Sequence, residues 1–131
     1  MKVSLQEITA KTVRDVTRLS VKDEQKNFVA SNAVSLAQAL FSPEAWYRAI
    51  YYGNELAGFV MLYDESLRPT PPQEPKVMIW RFMIDAKHQG KGIGKAALQQ
   101  VIDHIRTKGI FTRVDYKRPR SVKIHNPALK Q

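Results

Sequence analysis

The stretch Trp80-Arg81-Phe82-Met83-Ile84-Asp85-Ala86-Lys87-His88-Gln89-Gly90-Lys91-Gly92-Ile93-Gly94-Lys95 decides the fold. Its first part closes the run Val77 to Ile84, which is apolar throughout except at Arg81. A run that short and that apolar predicts a central strand buried on both faces. A turn follows in which Gly90, Gly92 and Gly94 alternate with larger residues. From Lys91 to Lys108 the apolar positions Ile93, Ala97, Leu98, Val101, Ile102 and Ile105 form one stripe of an amphipathic helix. Gly109 then supplies a C-terminal stop.

A buried strand that runs through a Gly-rich turn into a helix makes a particular kind of anion site. Glycines leave backbone N–H groups unshielded by Cβ atoms, and the helix N-terminus adds partial positive charge. Lys91 and Lys95 could add charge at the rim. Two known phosphate motifs fail on spacing. The Walker A pattern needs Ser or Thr after its Gly-Lys, and Ala96 follows Gly94-Lys95 here. The dinucleotide fingerprint needs Gly-x-Gly-x-x-Gly beside the first strand, whereas Gly90-x-Gly92-x-Gly94 comes late in the chain.

Upstream, Glu65 to Lys76 carries prolines at 69, 71, 72 and 75 and is expected to be an exposed loop. Before it, Trp46 to Tyr52 and Leu56 to Tyr63 read as two strands joined at Gly53-Asn54, a hairpin signal. Gly58 is expected to mark a bulge. The Trp46-Tyr47 and Tyr51-Tyr52 aromatics read as hairpin packing rather than a substrate platform. Val34, Leu36, Ala37 and Leu40 predict a short helix, and Val13, Val16 and Leu19 another. Lys2 to Ile8 reads as a first strand. The sum is one α/β domain over residues 1–131, with a mixed, mostly antiparallel central sheet flanked by helices.

The chain is 44% hydrophobic and 25% charged, which suits a globular domain and not a disordered one. No run approaches the ~18 apolar residues of a membrane span, so no membrane partner is expected. The absence of cysteine excludes disulfides, a thiolate nucleophile and cysteine-ligated metal; no metal site is expected, and the cytoplasm is the expected compartment. Net charge is +9, and residues 111–131 hold six basic side chains against one acid, Asp115. Such a surface attracts anions. No nucleic-acid reading motif accompanies it, so nucleic acid is not the expected partner.

Gln89-Gly90-Lys91-Gly92-Ile93-Gly94, preceded by Phe82-Met83-Ile84-Asp85, resembles the acetyl-CoA pyrophosphate loop and fourth strand of GNAT N-acetyltransferases. The Tyr52 to Phe59 hairpin extends the resemblance, which covers residues 1 to 110 in order of elements. Trp80-Arg81-Phe82-Met83-Ile84-Asp85 with Gln89-Gly90-Lys91-Gly92 looks most like bacterial spermine/spermidine (diamine) acetyltransferases. The resemblance implies a GNAT fold and transfer of acetyl from acetyl-CoA to a primary amine, with a polyamine as the family-level acceptor. A different reading is a non-catalytic acyl-CoA-binding or regulatory protein.

By that resemblance the cofactor contacts are the backbone of Phe82, Met83 and Ile84, then Gln89, Gly90, Lys91, Gly92, Ile93, Gly94 and Lys95, with Asn126 in the tail. A backbone N–H near Met83 would stabilise the oxyanion. Related polyamine enzymes have an acidic residue before the strand's Arg or Asp; Trp80 stands there, so no base is named. For a polycation, Glu24, Glu44, Asp64 or Glu65 would have to form an acidic pocket. His88 reads as a solvated loop residue, His104 as lying on the helix's polar side, and His125 as part of the basic tail; neither His104 nor His125 has a visible partner.

Two alignments of the tail stay open. Either Ser121 to Gln131 matches the family's fifth strand, its Asn (Asn126) and the start of the next helix, or Phe111 to Tyr116 is that strand. Under both, the family's tyrosine, Gly-Phe and last two strands are missing, so the resemblance implies a fold truncated or altered at its C-terminus. A fifth strand left as an open edge would favour a homo-oligomer, expected to be a dimer.

Overall fold

The computed structural model describes residues 2–23 and 31–116, and the backbone of 121–123. Its elements in order are β1 (Val3–Gln6), α1 (Val13–Arg18), α2 (Asn32–Ala39), β2 (Ala45–Tyr52), β3 (Glu55–Asp64), β4 (Val77–Ile84), α3 (Ile93–Thr107), β5 (Arg113–Tyr116) and β6 (Ser121–Lys123). The strands lie side by side in sequence order. Every pairing is antiparallel except β4 with β5, which is parallel. A parallel pair needs a crossover, and α3 supplies it.

The sheet separates two apolar layers. On one face Ile50, Val60, Leu62 and Ile79 pack against Ile93, Ala97, Val101 and Ile105 of α3. On the other, Ala49, Phe59, Met61 and Met83 pack with Val16 of α1 and Val21. The strand buried on both faces is β3, where Ala57 to Leu62 are buried in succession. The sequence reading assigned that property to Val77–Ile84. In β4 only Val77, Ile79 and Met83 are buried, and among the described residues β5 pairs with it at Met78 and Ile79. Beyond Ile79 the outer edge of β4 has no strand partner among the described residues.

The hairpin turns at Gly53, with φ of 62°, while no non-glycine residue has positive φ among the described residues, so Asn54 needs none. The register slips beside Gly58: Ile50 faces Gly58, Tyr51 faces Leu56, and Ala57 is the extra residue. A Cβ on Gly58 would lie 2.4 Å from the Met83 carbonyl oxygen, so close approach of β3 and β4 requires glycine here. A second slip pairs Met61 with Arg81 and Leu62 with Ile79, which makes Trp80 a bulge.

The proline-bearing loop begins with a short 3-10 turn, Glu65–Leu67, ahead of its first proline. At the tail, Arg113–Tyr116 is the strand beside β4, and Ser121–Lys123 pairs antiparallel with it. The expected open edge at β5 is therefore paired, which removes the premise of the dimer expectation. Asn126 and His125 lie outside the described residues, as does Glu24.

Candidate active site

The unpaired part of β4 leads directly into the Gly-rich turn. Asp85 N–H donates to the Ala57 carbonyl at 2.7 Å, so Asp85 faces β3. Backbone direction alternates along a strand, so Met83 and Arg81 face β3 as well, and Phe82 and Ile84 face the open edge. The Gln89 side chain confirms the parity, since its Nε2 donates to the Ile84 carbonyl at 2.9 Å from that outer side. This corrects the expectation at Met83: its own N–H points into the sheet, and the available backbone N–H groups belong to Phe82 and Ile84. It also gives Gln89 a job in the loop itself.

Asp85 fixes the end of the strand. Its Oδ1 accepts from Ser20 N–H at 2.9 Å, and Ala86 N–H donates to the Ser20 carbonyl at 2.8 Å. The turn then passes through Gly90 and Gly92, with φ of 81° and 79°. Those are left-handed values that glycine adopts without strain. A Cβ at either position would meet nothing within 4 Å, so both backbones face open space. At Gly94 a Cβ would touch Ile84 Cγ1 at 3.5 Å, so Gly94 lies where α3 crosses β4. Phe82, Met83, Ile84, His88, Gln89, Gly90, Gly92, Ile93 and Gly94, with Val21, line one cleft of about 400 Å³. Lys91 and Lys95 are exposed at its rim, with Lys91 Nζ 5.9 Å from the Tyr52 ring centroid.

The structure thus gathers the sequence-predicted residues from Phe82 to Lys95 at one cleft. Ile93 is a core residue, and only its backbone is available there. His88 is buried, at 3% exposure, and lines the cleft rather than standing in solvent. Neither of its ring nitrogens has a hydrogen-bond partner; Nε2 lies 3.5 Å from the Glu55 carboxylate. His104 is not on the polar side of α3. Its ring stacks on Trp46 at 4.2 Å, and burial pushes its pKa down, aided by Lys108 and Arg48. Of the acids considered for an acidic pocket, the three among the described residues are already paired. Glu44 binds Arg68 at 2.7 Å, and that hydrogen bond lowers its pKa to about 2. Asp64, buried, binds Lys108 at 2.9 Å, and Glu65 lies 3.5 Å from Arg68.

Residues 13–126 match the model of the acetyltransferase (GNAT) family. The chain belongs to that family. It is 30% identical over 113 residues to the spermine/spermidine N(1)-acetyltransferase of Bacillus subtilis (strain 168), an alignment that covers 80% of this chain and 69% of that one. Its fold is similar to that of an acetyltransferase from Thermus thermophilus, with a TM-score of 0.63 and 18% identity over 87% of this chain and 74% of that one. It is likewise similar to the PaiA N-acetyltransferase of Thermoplasma acidophilum solved with coenzyme A, with a TM-score of 0.58 and 14% identity over 88% and 79%.

Within this GNAT domain, sequence reasoning missed three contributors. Ser20 anchors Asp85 across 65 residues, and no local pattern marks such a contact. Gly58 carried the weaker label of a bulge, whereas its decisive property is contact with Met83. Arg81 entered as a break in an apolar run and as one residue of the 80–85 motif, with no contact assigned to its side chain, which reaches Gln38 of α2. Among the described residues no helix is long and apolar enough to cross a membrane.

Proposed function

We propose that this acetyltransferase moves an acetyl group from acetyl-CoA to a primary amine of a small molecule. One observation carries the reading: the outer edge of β4 at Phe82 and Ile84, with no strand partner among the described residues, leads through a short turn into a cradle of glycine backbone. An extended amide-bearing arm fits the first part, as an added strand would. A diphosphate fits the second, where N–H groups at a helix N-terminus meet an anion. Phe82, Ile84, Gly90, Gly92 and Gly94 would hold the donor through backbone, and Lys91 and Lys95 would add charge for its phosphates.

Bound acetyl-CoA supplies a thioester whose carbonyl carbon accepts the amine lone pair as the carbon–sulfur bond breaks. The Phe82 N–H, at the open edge, is the group placed to stabilise the oxyanion, a role worth ~2.7–4 kcal/mol where it has been measured. The two faces of the sheet divide the work. Donor contacts lie along the outer edge and the α3 side, and Met83 presents its side chain toward α1 and α2, where the amine would approach. Orientation of the two reactants supplies much of the rate.

The test is release of coenzyme A from acetyl-CoA, followed with a thiol reagent, across a panel of primary amines. Isothermal titration of coenzyme A accompanies it. Turnover with at least one amine and saturable coenzyme A binding are expected. Binding without turnover for every amine would replace this reading with non-catalytic acyl-CoA binding.

A further inference from the structure

The bulge at Trp80 has a consequence for the acceptor. An extra residue in the strand puts Trp80 and Arg81 on the same face of the sheet. Trp80 packs in the layer shared with α1 and α2. Arg81 reaches the same layer, and its Nη2 donates to Gln38 Oε1 of α2 at 3.0 Å. Its Nη1 donates to the Trp80 carbonyl, also at 3.0 Å. Met83 lies two residues further along this face, about 7 Å away at strand spacing. Arg81 therefore stands beside the point where an amine must reach the open edge.

Arg81 is a cation with no counter-charge among the described residues. Its side chain is partly buried, and Nε is enclosed without a hydrogen-bond partner. Burial lowers its pKa. Among the described residues no acid pairs with it. Of the acids considered for an acidic pocket, Glu44, Asp64 and Glu65 are held by Arg68 and Lys108, and Glu24 lies outside the described residues. A partly desolvated cation held only by neutral groups, the Trp80 carbonyl and ring and the Gln38 amide, keeps an unneutralised charge, and such charges concentrate where a ligand completes them. Each Nη has a second N–H beyond the bond already made, and a guanidinium end with two spare donors matches one carboxylate.

We propose that Arg81 receives a carboxylate of the acceptor, so that the acceptor is an amine bearing a carboxylate, such as an amino acid, and not a polyamine. The inference rests on the acetyltransferase reading above and names the substrate class of that site. Arg81 would then determine specificity through acceptor binding, with the donor held separately by β4 and the Gly-rich turn. A polycation would bring positive charge against an uncompensated guanidinium, where like charges repel.

Two matched pairs of probes test this: L-2,4-diaminobutyrate against 1,3-diaminopropane, and β-alanine against ethylamine. Within each pair only the carboxylate differs. Binding to the coenzyme A-saturated protein is followed by arginine side-chain NMR, with the Arg81 signal assigned by its loss in Arg81→Gln. The carboxylate member should shift the Arg81 signal and bind about 10- to 150-fold tighter than its partner, the range of one charge-assisted bond. Arg81→Gln should erase that preference and leave coenzyme A affinity unchanged. Equal or tighter binding of the amines without a carboxylate, or of spermidine, would overturn the proposal. So would an undiminished preference in Arg81→Gln. Arg81→Lys keeps the charge without the planar fork and should recover only part of the preference. Coenzyme A affinity, read in the same samples, reports the donor site independently. Its loss would sink the acetyltransferase reading, while the Arg81 signal would still decide the carboxylate question.

Discussion

Replacing Gly92 with alanine separates the stability of the turn from its use. Gly92 is the N-cap of α3 at φ of 79°, and an added Cβ would meet no atom within 4 Å. Packing therefore contributes nothing to the cost. What remains is the left-handed conformation, which costs an L-residue about 1–2 kcal/mol. At this chain length that corresponds to a fall of roughly 3–10 °C in melting temperature. The variant should fold. Binding should suffer differently, because the same methyl group projects into the space that the donor's diphosphate would occupy. Loss of one charge-assisted hydrogen bond from backbone to phosphate costs ~1.5–3 kcal/mol, or about 10- to 150-fold in affinity. Isothermal titration of coenzyme A against wild type and Gly92→Ala measures this. Pantetheine, which lacks the diphosphate, should bind both proteins alike. Gly94→Ala is the control for helix content, since its Cβ makes an ordinary contact with Ile84 at 3.5 Å. A folded Gly92→Ala protein with wild-type coenzyme A affinity would show that the diphosphate does not sit at this turn.

Two further perturbations test the scaffold. Gly58→Ala forces a Cβ to 2.4 Å from the Met83 carbonyl, a backbone atom that cannot swing aside. It should destabilise by about 1–3 kcal/mol or more, and an unchanged urea midpoint would contradict the close approach of β3 and β4. His104 has a pKa held below its ordinary 6.5, so its neutral form is the one the fold prefers. Its contribution is complete above pH 6.5 and is lost as pH falls through the lower folded value. Melting temperature should therefore drop from about pH 7 to about pH 5 in wild type and drop less in His104→Phe, which retains the stack on Trp46. Identical slopes would exclude His104 as a source of the acid sensitivity.

Much of the site was legible because it is local. The strand, the glycine turn and the helix that follow one another from Val77 to Thr107 show their periods and breakers directly in sequence. The hairpin at Gly53 was legible for the same reason, since loop length and residue type set its geometry. What escaped the sequence depends on contacts between distant elements. His88 looks solvated in its polar surroundings, yet the cleft encloses it. His104 lies three residues after Val101 and seven after Ala97, on the buried side of α3, and its polar ring hides that placement until the stack on Trp46 is seen. β3 is buried on both faces because β2 and β4 flank it while α1 and α3 cover its two sides, a position that no property of Glu55–Asp64 reveals.

The open edge at Phe82 and Ile84 is a product of register more than of composition. A strand offers alternate residues to each neighbour, so a slip of one residue would turn Met83 outward and bury the backbone of Phe82 and Ile84 against β3. Three contacts hold the parity. Asp85 N–H bonds the Ala57 carbonyl, the Asp85 carboxylate bonds Ser20 N–H, and Gly58 admits the Met83 carbonyl. None of the three needs to touch a substrate. Above them, the bulge at Trp80 absorbs one residue, so Val77 and Ile79 face α3 while Arg81 and Met83 face α2. Without that extra residue the alternation would have carried Val77, Ile79, Arg81 and Met83 to one face. The same irregularity that sets Phe82 and Ile84 toward the outer edge thus brings the Arg81 guanidinium to the α2 face of the sheet.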